Sequence, residues 1–331
     1  MKKKISTLLL IMMAFFMVAC SSNETTKTPT QDNKKEETDV SMSVAALKGP
    51  TAMGMVKLMS DSELSKEDNY TFSLHTAVDE ITPKLVSGEI DIAAVPSNMA
   101  SVLYNNTKGN VQVLAVNTLG VLYIAENGDT VKSLADLEGK TIYASGKGAT
   151  PEYVLNYILT ENGLMDKVTI EWKSEHAECV SALVTDPTGV AMIPEPFVTT
   201  AKSKQEGIRS AIDLTEEWNK LGGDSQSITG VLVGNKEFID ENKEAVNEFL
   251  TQYEDSIAYT QSNLEESAKL IGEFDIVPEP VAKKALPKCN ITYIDGEEMK
   301  TSLEGYLEVL FNANPKSVGG TMPAEDFYYE K

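Results

Sequence analysis

A glutamate stands between two prolines at the end of an apolar stretch, in the segment GVAMIPEPF over residues 189–197. Pro194 and Pro196 restrict the backbone on both sides, so the Glu195 carboxylate is held where the apolar strand ends. A carboxylate that loses its water at such a place needs hydrogen-bond donors around it. We therefore expect Glu195 to accept a hydrogen bond from a bound solute. Capping of a helix that begins near Phe197 is the alternative role.

An earlier segment, DIAAVPSNM over residues 91–99, repeats this pattern of an apolar strand that ends in a proline. When Pro96 is aligned with Pro194, the apolar residues before the two prolines coincide, and Ser97 takes the position of Glu195. The repeat therefore predicts that a hydroxyl and a carboxylate face one solute. For Ser97, a role in helix capping or turn formation is the alternative.

Each copy of the pattern is preceded by a glycine turn that opens a helix, KGPTAMG in the first copy and SGKGATPE in the second. Gly49 precedes Pro96 by 47 residues, and Gly148 precedes Pro194 by 46. Threonine and proline at the start of a helix favour capping and leave backbone N–H groups free, and such groups attract anions or carbonyl oxygens. Two similar units of this kind predict two lobes with a ligand between them, at the carboxyl ends of the strands.

The candidate ligand-binding residues lie at the predicted strand ends and helix starts of both units. They are Gly49, Pro50, Thr51, Met53, Ser97, Asn98, Thr118, Lys147, Gly148, Ala149, Thr150 and Glu195. Alternatives stay open for several of them: Met53 also fits a core position, Lys147 a solvated loop, and Thr118 a turn.

The order of elements along the chain predicts an α/β protein, because short apolar strands alternate with amphipathic helices from Val40 onward. The helical stretches after Gly230 are too long and numerous for the second unit alone, so we expect the chain to cross back and complete the first. The expected division is 41–128 with 229–331 as one lobe, and 129–228 as the other.

The first twenty residues, MKKKISTLLLIMMAFFMVAC, have a basic head, a short apolar run and a small residue before Cys20, which is typical of a secretory signal. We expect residues 1–19 to be the signal peptide and 20–40 a disordered tether, since its Ser, Thr, Lys and Glu content cannot bury enough apolar surface to order it. The formal net charge is −21, and loss of the three lysines in residues 1–19 makes it −24, which excludes nucleic acid as a partner.

Several motifs together carry a family resemblance: the signal ending at Cys20, ALKGPTAMG, DEITPKLVSGEIDIAAVPSNMA, LADLEGKTIYASGKGATPEYVLNYIL and IPEPF. In this order they resemble the solute-binding lipoproteins of ABC importers, in the branch for nitrate, sulfonates and thiamine-precursor pyrimidines. Met17 departs from the lipobox of such proteins, in which a leucine is usual. The resemblance covers nearly the whole mature chain.

The resemblance implies the two-lobed type II periplasmic-binding-protein fold, with a hinge of two strands and a ligand cleft between the lobes. It implies a substrate-binding subunit on the extracytoplasmic face of the cell membrane, anchored by a lipid on Cys20. The implied partners are a small solute and the permease and ATPase subunits of the importer. We expect a monomer, and we expect it to need neither a cofactor nor a metal.

The solute and the activity are less constrained by the sequence. The chain has a single arginine, Arg209, far along the sequence from the candidate loops, although sulfonate and nitrate are usually bound by guanidinium groups. This favours a neutral or cationic ring-bearing solute with Tyr123 and Tyr153 as stacking partners, although helix ends alone can also hold an anion. An enzyme of the same fold and a surface sensor are the alternatives. The two histidines, His75 and His176, form no predicted catalytic or metal motif.

Cys179 and Cys289 are the remaining cysteines of the mature chain. Their spacing forms no disulfide framework, so we expect two buried free thiols, with a single disulfide as the alternative.

Overall fold

The computed structural model describes residues 40–65, 70–221, 223 and 225–331. The predicted signal peptide, Cys20 and almost all of the tether lie outside these residues. The strands are β1 (Met42–Leu47), β2 (Tyr70–His75), β3 (Ile92–Pro96), β4 (Val111–Leu119), β5 (Leu122–Asn127), β6 (Thr141–Ala144), β7 (Thr169–Trp172), β8 (Val190–Pro194), β9 (Ile208–Asp213), β10 (Ile228–Asn235) and β11 (Ile291–Ile294). The helices are α1 (Pro50–Met53), α2 (Val56–Leu64), α3 (Thr82–Ser87), α4 (Ser97–Thr107), α5 (Thr150–Glu161), α6 (His176–Thr185), α7 (Phe197–Lys204), α8 (Leu214–Leu221), α9 (Lys236–Glu241), α10 (Lys243–Ser262), α11 (Leu264–Glu273), α12 (Glu279–Ala285) and α13 (Gly296–Ala313).

The strands form two sheets with one construction. The first has the order β11-β4-β10-β3-β1-β2 and the second the order β7-β6-β8-β5-β9. Each sheet contains three neighbouring parallel strands, β2-β1-β3 in the first sheet and β7-β6-β8 in the second. The strand that pairs with the third of them runs antiparallel to it: β10 beside β3, and β5 beside β8. The doubled unit predicted from the sequence is therefore present, and the α/β prediction is confirmed. We call the elements of the first sheet the first lobe and those of the second sheet the second lobe.

The chain crosses between the sheets twice. It leaves the first sheet at Leu119, at the end of β4, and enters the second at Leu122, at the start of β5. It returns between Asp213, at the end of β9, and Ile228, at the start of β10.

The first crossing corrects the lobe boundary expected at residue 128, because β5 belongs to the second sheet. It pairs with β8 from Leu122 to Glu126 and with β9 on its other side. The apolar pattern of β5 reveals a buried strand but not which sheet holds it.

The two crossings touch each other. Gly120 lies in the first, and a Cβ atom added to it would overlap the side chain of Thr215, which follows the second-lobe strand β9. The Gly120 carbonyl accepts a hydrogen bond of 2.5 Å from Asn290 Nδ2 in the first lobe. Only glycine, which has no Cβ, permits this approach.

The C-terminal helices pack against the first lobe. In α10, Phe249, Tyr253 and Ile257 pack in one buried cluster with Val44 and Ala46 of β1. Helix α13 reaches both lobes, because the Tyr306 ring packs on Trp218 of α8 with ring centroids 5.2 Å apart. None of the described helices is long and apolar enough to cross a membrane.

Cys179 and Cys289 are both buried and unpaired, which confirms the expectation of two free thiols.

Candidate functional site

The carboxyl ends of the parallel strands carry the predicted residues in both lobes. In the first lobe, β1 leads to Gly49 and β3 to Ser97; in the second, β6 leads to Gly148 and β8 to Glu195. Because the antiparallel neighbour of each set arrives directly from the other lobe, these two edges are brought toward each other. We call the space between them the candidate cleft.

Four of the predicted residues meet across the candidate cleft. Ser97 Oγ lies 3.0 Å from Thr150 Oγ1, and the Asn98 backbone N–H donates to the same hydroxyl at 3.3 Å. The Asn98 side chain donates to the Gly148 carbonyl at 3.5 Å. Ser97, Asn98 and Thr150 are completely buried, so the two lobes are closed on each other at this point.

The glycine turn of the first lobe also faces the second lobe. Gly49 has φ +145°, in the region that favours glycine, and a Cβ atom placed on it would lie 3.6 Å from Phe197 Cε2. Pro50 begins the short helix α1 at this turn. The first-lobe turn and the start of α7 therefore form a second contact across the candidate cleft.

Two residues of the same turn point inward instead. Thr51 was expected to cap α1, but its hydroxyl donates to the Leu47 carbonyl at 3.2 Å, and α1 has no side-chain cap. Met53 is fully buried in the core cluster of the first lobe, the alternative left open by the sequence. Helix α1 has only four residues, so it is too short to place Met53 on an exposed face away from the core.

Glu195 takes the capping role. Its carboxylate accepts from the Thr199 N–H and from the Thr199 hydroxyl, both at 3.0 Å, and Glu195 is 1% exposed. Burial raises the pKa of the nearby Tyr123 hydroxyl, and the charges of Asp213 and Glu195 raise it further, to about 12. Tyr123 is therefore a neutral hydroxyl near the start of β5.

The other predicted residues occupy three different settings. Thr118 is buried, and its hydroxyl donates to Asn117 Oδ1 at 3.0 Å. Ala149 is buried just before α5, whereas Lys147 is exposed in the preceding loop. The described contacts thus bring Gly49, Ser97, Asn98, Gly148 and Thr150 to the boundary between the lobes.

His176 is the residue that the sequence reasoning missed. It follows β7 at the start of α6, its Nδ1 lies 2.6 Å from Ser145 Oγ, and its ring lies 5.0 Å from the Phe197 ring. Burial lowers the pKa of His176 to about 4, so the imidazole is neutral near pH 7. The candidate residues were sought after the carboxyl ends of β6 and β8, and the same search after the end of β7 would have found His176.

A cavity of about 850 Å³ lies at the crossings. Its walls include Gly120, Thr215, Asn290 and one face of α13, and none of the predicted ligand-binding residues lines it. The predicted residues instead satisfy one another by hydrogen bonds across the closed boundary.

Comparison with known proteins adds a family and a fold. Residues 108–267 match the family model described as NMT1/THI5 like. This segment is therefore similar to that family. It contains both crossings and all of the second sheet, so the family match falls on the hinge and the second lobe, whereas Gly49 and Ser97 lie before it.

The curated relatives are more distant. A binding protein of Brucella abortus (strain 2308) is 26% identical over 175 residues, which is 52% of each chain. A binding protein of Brucella melitensis gives the same figures. The alignment thus spans about half the length of these relatives.

Solved structures match over most of the chain. An ABC transporter protein of Parabacteroides distasonis has a TM-score of 0.73 and 21% identity, with 88% of this chain and 100% of that chain covered. The periplasmic aliphatic sulphonate-binding protein SsuA of Escherichia coli has a TM-score of 0.69 and 17% identity, with 88% and 92% covered. This chain therefore has the two-lobed periplasmic-binding-protein fold that its sequence predicts.

The low pKa of His176 makes the stability of the protein depend on pH. Between about pH 6.5 and pH 4 the unfolded chain binds a proton at this histidine and the folded chain does not, so stability is lost as the pH falls. We expect His176→Gln to remove this dependence, about 1.4 kcal/mol per pH unit at most. The measurement is urea unfolding of the wild type and the variant from pH 4 to pH 7.

The control for this experiment is His75→Gln, since His75 lies on β2 and contacts Glu80 instead. Equal pH slopes for the wild type and His176→Gln would contradict the assignment.

Proposed function

We propose that the protein is the extracytoplasmic substrate-binding subunit of an ABC importer, which captures a small solute between its lobes and delivers it to the permease. The observation that carries the proposal is the meeting of strand-end residues across the hinge, Ser97 with Thr150 and Gly49 with Phe197. The fold agrees, since the solved structures that match include proteins titled as transporter components and a sulphonate-binding protein. The proposed role is capture without catalysis, by a monomer that needs no cofactor.

In this role the lobes open and close about the two crossings. The opened cleft exposes N–H groups at the starts of α4 and α5 and the hydroxyls of Ser97 and Thr150, all of which can hydrogen-bond a solute. Closure then surrounds the solute with groups that water has left, where hydrogen bonds are stronger. We retain Gly49, Ser97, Asn98, Gly148, Thr150 and Glu195 as the proposed solute contacts.

The charges at this boundary favour a neutral or cationic, ring-bearing solute. Arg209 lies near the start of β9, at the ends of the strands away from the candidate cleft, and it donates to Glu126 at 2.6 Å. Glu126 pairs with Val190 at the start of β8, whereas Glu195 follows the end of that strand. The cleft side of the second lobe instead presents the rings of Phe197 and the neutral His176.

A thermal-shift screen tests the function directly. We expect a neutral or cationic ring-bearing nutrient, such as a pyrimidine or a vitamin, to raise the melting temperature more than a sulfonate or nitrate does. A ligand present at 100 times its Kd stabilises by about 2.7 kcal/mol, which such a screen detects. Stabilisation by none of the solutes, or chemical turnover of the one that binds, would contradict the proposal.

Glu195 provides the sharper prediction once a solute is found. Each carboxylate oxygen accepts one bond from Thr199, which leaves lone pairs for the solute. We expect Glu195→Gln to retain a capping oxygen but to weaken binding about tenfold or more, because a charge-assisted hydrogen bond contributes about 1.5 to 3 kcal/mol. Calorimetry measures the affinity, and unfolding measures the stability.

Asp136→Asn is the matched control, because it removes a carboxylate that accepts from Lys132 and Ser133 N–H groups in the loop after β5. Its affinity should equal that of the wild type. If Glu195→Gln also binds normally while Glu195→Ala only lowers stability, Glu195 is a helix cap alone.

Membrane attachment through a lipid on Cys20 is part of the same proposal. Its support is the sequence: a basic head, a short apolar run and Ala19 before the cysteine. We expect Cys20→Ala to release the protein from the membrane fraction of cells and to abolish its labelling by a radioactive fatty acid. Unchanged membrane association would contradict the anchor.

A further inference from the structure

Helix α4 has no cap of its own. It begins at Ser97, directly after the N-cap residue Pro96, which provides no side-chain cap. The Asn98 N–H donates instead to Thr150 Oγ1 at 3.3 Å. Since Thr150 begins α5 of the second lobe, a first-lobe helix is capped from across the cleft.

The side-chain hydroxyl and amide groups of Ser97, Asn98 and Thr150 all have a partner within hydrogen-bond distance. Ser97 donates its hydroxyl hydrogen to the Ile228 carbonyl at 2.6 Å, so its oxygen remains an acceptor. Thr150 donates its hydrogen either to Ser97 Oγ at 3.0 Å or to Asn98 Oδ1 at 3.2 Å, and it accepts the Asn98 N–H. Asn98 is fixed in the first lobe because its Nδ2 donates to the Ser317 carbonyl at 2.8 Å. Donors and acceptors at Thr150 are therefore complementary.

The contact is buried and electrostatically costly without the threonine. Helices α4 and α5 meet with both N-termini at the boundary, and the like ends of two helix dipoles repel each other. The Tyr306 ring, packed on Trp218, covers the contact, and its own buried hydroxyl lies beside Ser97 and Thr150. A buried N–H without an acceptor is strongly unfavourable, so the hydroxyl of Thr150 offsets both costs.

We propose that Thr150 is a latch that holds the two lobes closed in the absence of solute, by capping α4 from the second lobe. The role of this latch in solute capture rests on the proposed function. The contact itself joins residues of this chain and can be tested without a solute. Because the proposed solute contacts include Ser97, Asn98 and Thr150, solute must replace the latch contact, so a latch that lowers the open fraction lowers the apparent solute affinity by the same factor.

Hydrogen exchange of the solute-free full-length chain in detergent tests the latch. Opening exposes the Asn98 N–H to water, so its exchange rate reports the open fraction. We expect Thr150→Val, which keeps the shape and removes the hydroxyl, to make the start of α4 exchange about fivefold faster. Thr150→Ser keeps the hydroxyl and should exchange like the wild type.

Tyr157→Phe is the control on the same helix, because the Tyr157 hydroxyl bonds to the Leu221 carbonyl within the second lobe. It should leave the start of α4 unchanged. Equal exchange in Thr150→Val and the wild type would overturn the latch, and so would an equal acceleration throughout both lobes. Should Thr150→Val fail to fold, the wild type decides: an Asn98 amide that exchanges as fast as a free peptide overturns the proposal, and a protected one supports it.

The two proposals fail separately. If solute binds to the wild type while the α4 exchange of Thr150→Val is unchanged, the latch is wrong and the solute-binding role stands. If no solute binds to any variant but Thr150→Val exchanges faster, the latch stands and the proposed function is wrong.

Discussion

The direction of two strands governs the architecture. In each sheet, the strand next to the parallel set runs antiparallel to it and joins directly to the other lobe: β5 pairs with β8, and β10 pairs with β3. A strand that runs the opposite way begins where its parallel neighbour ends, so each crossing is located at the carboxyl edge. The two edges that carry helix N-termini must therefore face each other, and the cleft residues come from both lobes.

The doubled unit was predictable because it depends on local chemistry. Proline cannot continue a ladder of hydrogen bonds, so Pro96 and Pro194 end their strands in both copies. Gly49 was recognisable for a similar reason, since its positive φ suits glycine and its turn begins a helix. These signals placed the ends of the strands, and hence the edge of the sheet that holds the candidate site.

The directions of individual side chains were not predictable from the same signals. Glu195 reaches Thr199 of its own helix, and Thr51 bonds back to Leu47, because a nearby partner competes with any distant one. The membership of β5 in the second sheet depends on long-range pairing that an apolar pattern does not encode. His176 was missed for a different reason: β7 is followed neither by the proline that ends β3 and β8 nor by the glycine turn that follows β1 and β6.

The contact between the two crossings has a mechanical consequence. Because Gly120 admits Thr215 where any side chain would block it, the two connections lie against each other as one band. A hinge made of two separated strands could also shear or twist, whereas a single band bends about one line. Any displacement of the first connection at Gly120 must therefore be accommodated by Thr215 in the second, so the two connections are coupled at this point.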